Sequence, residues 1–163
     1  EGTAEAETGG IVLVEELERQ GPALTNETLR DWVERWCGCY YYRERKSLPP
    51  ISTWNTGKVT DFSKLFENQV NFNDDISAWD TSSVTTMCAM FFGAKSFNQP
   101  LNDWRVDNVT NMSYMFYGAR SFNQPLGDWR LRSDCRTNRM FDETFRNSRP
   151  LRRPVKESCC SIS

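Results

Sequence analysis

The sequence predicts an α/β repeat fold: a short solenoid of about four 25-residue coils, each a short parallel strand plus a short helix. Two observations predict it. Trp54, Trp79, Trp104 and Trp129 stand 25 residues apart. Residues 76–100 and 101–125 share 13 of 25 positions, which chance cannot produce. The chain of 163 residues then divides into an acidic N-terminal extension at 1–24, a helical cap and connection at 25–50, the repeat at 51–150, and an irregular basic C-terminal tail at 151–163.

Each unit opens on an apolar residue and its tryptophan, as in Ile76 and Trp79, a short segment that reads as strand. Parallel neighbours of this kind stack about 4.8 Å apart. Val59, Val84 and Val109 follow at the same step. Next, Met87, Met90, Phe91 and Ala94 fall at i, i+3, i+4 and i+7, the spacing of a helical face, and Met112, Met115, Phe116 and Ala119 repeat it. Ser82-Ser83 and Asp107-Asn108 precede that segment as caps, and Gly93 and Gly118 end it. Pro100 and Pro125 keep the residue before them out of helix and start the next coil. The column Phe66, Phe91, Phe116 and Phe141 completes a continuous core, because one repeat cannot bury its own apolar face. Asn73, Asn98 and Asn123 each follow a phenylalanine, and their amides are expected to bond turn backbone in a ladder. Residues 126–150 match their predecessor at only 7 positions, so they read as a degenerate closing coil.

Upstream, Leu29, Trp32, Val33 and Trp36 lie at i, i+3, i+4 and i+7 in an amphipathic helix over 25–37. Thr25 is placed to cap it and Glu27 to sit in its first turn. This helix is expected to cover the open end of the first coil. Tyr40, Tyr41 and Tyr42 in the connection are expected to pack against that coil rather than face a partner.

Composition closes off much chemistry. With no histidine, a Ser-His-Asp triad, a Cys-His dyad and His-ligated zinc or haem are impossible within this chain. Asp74-Asp75 and Asp103 fall at turns, where Asp is ordinary. No glycine-rich phosphate loop exists, so no catalytic residue, cofactor or metal site is expected. Six cysteines in C-x-C and C-C spacing permit disulfides without favouring zinc, and free thiols are the simplest reading. No apolar run approaches the roughly 18 residues that span a bilayer. The small, acidic first residues read as a mature terminus after cleavage or as a fragment, which leaves organellar and secreted destinations open. The sequons at Asn26, Asn108 and Asn111 say little, since two lie inside a repeat.

The net charge of −2 conceals a polarity. Residues 1–36 carry nine acids and three bases, and residues 130–156 nine bases and three acids. Arg132, Arg136, Arg139, Arg149, Arg152 and Arg153 are therefore candidates for docking on an acidic protein surface or anionic lipid heads. Nucleic acid is disfavoured, because the bases lack an interleaved aromatic platform.

The run "ISAWDTSSVTTMCAMFFGAKSFNQPLNDWRVDNVTNMSYMFYGARSFNQPL" resembles the BspA-like surface-protein repeat of the DUF285 family, whose pattern is roughly W-D-x-S-x-V-T-x-M-x-x-M-F-x-x-A-x-x-F-N-Q. The unit at 51–75 departs from it with Phe62 and Leu65 for the methionine pair, and the unit at 126–150 keeps only Trp129, Met140 and Phe141. The resemblance covers about 51–145 and implies a leucine-rich-repeat-like solenoid. It also implies a role in binding, with members mostly secreted or on surfaces of bacteria and unicellular eukaryotes, algae included. It carries over no catalytic residue. Four coils span only about 15 Å, short for a free-standing receptor. The expectation is a protein-interacting structural subunit of a larger assembly, for which an algal organellar or photosynthetic membrane complex would fit. The alternative is a free secreted or cell-surface adhesion protein.

Overall fold

The computed structural model describes residues 22–38 and 48–141, together with the backbone of 155–156. The chain enters through α1 (Asn26–Cys37), passes a single 3-10 turn at Ile51–Thr53, and then runs through four units stacked in parallel. Isolated parallel bridges join Asp61 to Thr86, Thr86 to Asn111, and Asn111 to Arg136. A parallel pair, β1 (Arg130–Leu131) with β2 (Val155–Lys156), follows at the same step of 25 residues.

Where the spacing predicts a helix in each unit, the chain makes a run of tight turns instead. Among the described residues α1 is the one α-helix. The reason is visible in the N–H groups. Those of Phe62, Lys64, Phe66 and Asn68 donate to the carbonyls of Thr86, Cys88, Met90 and Phe92 in the next unit, at 2.7 to 3.0 Å. The intervening Leu65, Glu67 and Gln69 close turns back onto Phe62, Lys64 and Phe66. A helix would spend every N–H inside its own segment. Here every second one is spent on the neighbouring layer. The alternation needs a left-handed residue every fourth position: Lys64 and Asn68, Ala89 and Gly93, Tyr114 and Gly118, all at φ between 56° and 74°. A period of four is so close to 3.6 that seven residues of apolar pattern cannot separate them. Gly93 also needs its missing side chain, since a Cβ there would meet Asn68 Oδ1 at 2.5 Å. The segment expected as strand, Ile76 to Trp79, is instead a turn closed by Trp79 N on Ile76 O, and the single bridges fall ten residues after the start of each unit, at Thr86 and Asn111.

The core is a set of side-chain columns. Phe66, Phe91, Phe116 and Phe141 stack with centroids 5.5 to 5.7 Å apart. Phe72, Phe97 and Phe122 form a second file at 5.7 and 5.9 Å. The two files touch at 3.8 to 4.1 Å. Each fully buried ring contributes roughly 1.5–3 kcal/mol of burial. The tryptophans supply the polar stitch. Trp79, Trp104 and Trp129 donate their indole N–H to the carbonyls of Ile51, Ile76 and Leu101, at 2.8 to 3.3 Å, each time 28 residues back. Trp54 has no earlier unit and donates to Pro49 O instead. Val59, Val84 and Val109 are fully buried. The fourth unit fills that place with Cys135, 1% exposed, whose N–H closes on Arg132 as that of Val109 closes on Val106. Aligning Asp134 with Val109 by the 25-residue step misses this by one residue.

Helix α1 meets the open face of the first unit. Leu29 and Val33 are buried, and Trp32 and Trp36 set their edges on Trp54 at 5.2 and 5.6 Å. Thr25 is its N-cap, with a reciprocal capping box to Thr28. Later units receive backbone partners from the layer before them, as Thr85 N donates to Thr60 O. The first unit has no such layer. The side chain of Asn26 substitutes, its Oδ1 accepting from the N–H groups of Thr60 and Asp61 at 2.9 and 3.2 Å. Arg30 adds a bond to Ser63 O and an ion pair with Asp61.

Candidate interaction surface

Asp74 accepts from the Trp36 indole, and Asp75 from Ser77 N. Both carboxylates are thus engaged in structure. Hydrogen bonds from Ser77 and Ser82 hold the carboxyls of Asp75 and Asp80 below the usual range. For Asp61, burial pushes upward, but the bonds from Ser63 and the Arg30 charge outweigh it and the net direction is down. Among the described residues no group of three potential ligands is placed to hold a metal, and no helix is long and apolar enough to cross a membrane.

The asparagine column forms a ladder on one edge. Asn73 Oδ1 accepts from Asn98 N, and Asn98 Oδ1 from Asn123 N, both at 2.8 Å. Gln99 and Gln124 reach back to the same two residues. Their amides are committed to backbone, as are those of the sequon residues: Asn26 holds Thr60 and Asp61, Asn108 holds Ser82 O, and Asn111 holds Ser113 N. Ser83, placed by its sequence position as a helix cap, bonds Gly57 O in the preceding unit instead.

The candidate docking arginines separate. Arg132 grips Asp134 with two bonds of 2.8 and 2.9 Å, which raises its already high pKa and neutralises its charge locally. Arg136 and Arg139 are exposed. Arg136 ends the column Asp61, Thr86, Asn111, whose side chains accept from the backbone two residues on. An arginine has no acceptor to offer there. Arg149, Arg152 and Arg153 lie outside the described residues, as do Tyr40, Tyr41 and Tyr42.

Arg139 belongs instead to a surface that the sequence reading missed. It shares a column with Lys64, Ala89 and Tyr114, all in the left-handed conformation. Tyr114 is 37% exposed. Its ring meets Tyr117 edge-on at 6.0 Å, and Tyr117 stacks on Phe92 at 5.3 Å. Phe92 and Tyr117 are half-buried, outside the core files. Lys95 and Arg120, both exposed, follow three residues on, in the column headed by the exposed Val70. The 25-residue step from Phe92 to Tyr117 was the available signal, hidden because Glu67 occupies the place in the first unit. Aromatic and arginine side chains are the types enriched at protein interfaces.

A family profile described as "Mycoplasma protein of unknown function, DUF285" matches residues 39–153. No curated protein and no solved structure matches the chain.

Proposed function

The chain belongs to the DUF285 family, and from that premise we propose that it is a non-catalytic protein-interaction solenoid, docked as a structural subunit in a larger assembly. The observation that carries this reading is the surface of Phe92, Tyr114 and Tyr117 with Lys95, Arg120 and Arg139 beside it in the sequence of turns. A partner that presents acidic and apolar groups together fits that chemistry. The rings supply area at little entropic cost, and the cations steer approach. The stack supplies rigidity, since each exposed ring projects from a backbone bonded to its neighbouring layers.

Cross-linking mass spectrometry on native material tests the reading. The expected result is a partner cross-linked near Lys95 at fixed stoichiometry. A Tyr114→Ser, Tyr117→Ser, Arg120→Glu variant with unchanged circular dichroism should lose it. Cross-links that persist in that variant would refute the assignment of this surface. Purification as a stable monomer would instead favour a free secreted or cell-surface adhesion protein.

A further inference from the structure

We propose that the surface of Phe92, Tyr114 and Tyr117 receives an acidic amphipathic α-helix of a partner protein, laid along the axis of the stack. The inference rests on the reading of this surface as an interface, and it adds what occupies it.

Phe92 and Tyr117 hold the same place in neighbouring layers, with ring centroids 5.3 Å apart. Tyr114 stands edge-on to Tyr117 at 6.0 Å and is 37% exposed. Cations flank this file on both sides in chain order. Lys95 and Arg120 follow the two rings by three residues, in consecutive layers. Arg139 continues the column of Tyr114, which precedes the rings by three. All three cations are exposed and make no ion pair among the described residues. Between the rings and Lys95 or Arg120, Gly93 and Gly118 add no side chain.

The backbone of this face disfavours an extended partner. A strand docks by pairing with free N–H and C=O groups at an edge. Here Phe92 N closes on Ala89 O and Tyr117 N on Tyr114 O, both at 3.1 Å. Gly93 N crosses to Tyr117 O at 2.8 Å, and Lys95 O accepts from Ser121 N at 3.0 Å. These groups are spent on the stack, so the face offers side chains. A helix suits it, because a helix satisfies its own backbone and presents only side chains. Its pitch of about 5.4 Å matches the 5.3 Å between the rings, so each turn meets one layer. One side of a strand repeats every ~6.6 Å and falls out of step. Charge sets the helix composition. An apolar stripe at i, i+3, i+4 and i+7 covers the rings, and carboxylates bordering it meet Lys95 and Arg120 on one side and Arg139 on the other.

The test is zero-length carbodiimide coupling in the native assembly, which joins an amine directly to a partner carboxylate. It is run on the wild type, where Lys95 supplies the amine, and on Arg120→Lys, which adds an amine one layer on. The expected result is two coupled carboxylates three or four residues apart in one partner segment. A synthetic peptide of that segment should gain helical circular dichroism on binding the full chain. A proline placed in its middle should weaken binding about tenfold or more. Carboxylates one or two residues apart, or in separate segments, would overturn the helix. So would a peptide whose affinity the proline leaves unchanged. In those cases the surface still holds a partner, and the wider reading stands. If no partner carboxylate couples to either amine, the interface reading fails and the helix falls with it.

Discussion

Replacing Lys64 separates the turn stack from the helix that the sequence pattern suggests, because the two give opposite signs. Lys64 has φ of 61°. Its side chain is 63% exposed and pairs only with Glu67 at 3.6 Å, a contact worth little in water. Compare Lys64→Gly with Lys64→Ala, both of which lose that ion pair. A left-handed conformation costs a non-glycine residue roughly 1–2 kcal/mol. The greater freedom of glycine in the unfolded chain takes back about 0.5–1 kcal/mol. The glycine variant should therefore be the more stable by about 0.5–1 kcal/mol. In a helix interior the order reverses, with alanine ahead by about 0.5–1 kcal/mol. The difference corresponds to roughly 1–4 °C in thermal midpoint for a chain of this size. Urea denaturation followed by tryptophan fluorescence, with the two slopes compared, is the assay. An alanine variant as stable as the glycine variant or more so would refute the alternating-turn account of the units.

Further outcomes follow from the ladders. Asn98→Ala removes the acceptor for Asn123 N and should cost about 1–2 kcal/mol, whereas Asn98→Asp keeps an acceptor and should cost less in the same denaturation experiment. Trp104→Phe leaves the Ile76 carbonyl without its buried donor, and about 1–3 kcal/mol of lost stability should appear calorimetrically. Asn26→Ala strips the acceptor from two backbone donors of the first unit, so hydrogen exchange at Thr60 and Asp61 should accelerate before that at Thr85. Asp61, Asp75 and Asp80 are held below the ordinary carboxylate value of 3.8. Their contribution is fully present above that value and is lost as pH falls through the lower folded values. Acid titration of Asp80→Asn should show a shallower loss of stability below about pH 4 than the wild type, and an identical slope would count against that carboxylate's role.

The sequence by itself determined which residues share a column, because a 25-residue step in Trp, Val, Phe and Asn needs no coordinates to be seen. It determined the extent of α1 nearly as well, since Thr25 and the spacing from Leu29 to Trp36 are local signals. The backbone path within a unit was decided only by the tertiary structure. Whether Phe66 N bonds within its own segment or to Met90 O depends on a layer 24 residues away, and no local pattern encodes that choice. The same holds for the ends. Asn26 becomes a surrogate layer because α1 lies against a unit with unpaired donors, and Cys135 enters the valine column because the fourth unit closes the equivalent turn one residue later, Cys135 N on Arg132 O. The surface of Phe92, Tyr114 and Tyr117 was also decided there. Sequence periodicity reports that a position repeats, and only the folded stack decides which repeating aromatics face inward and which face water.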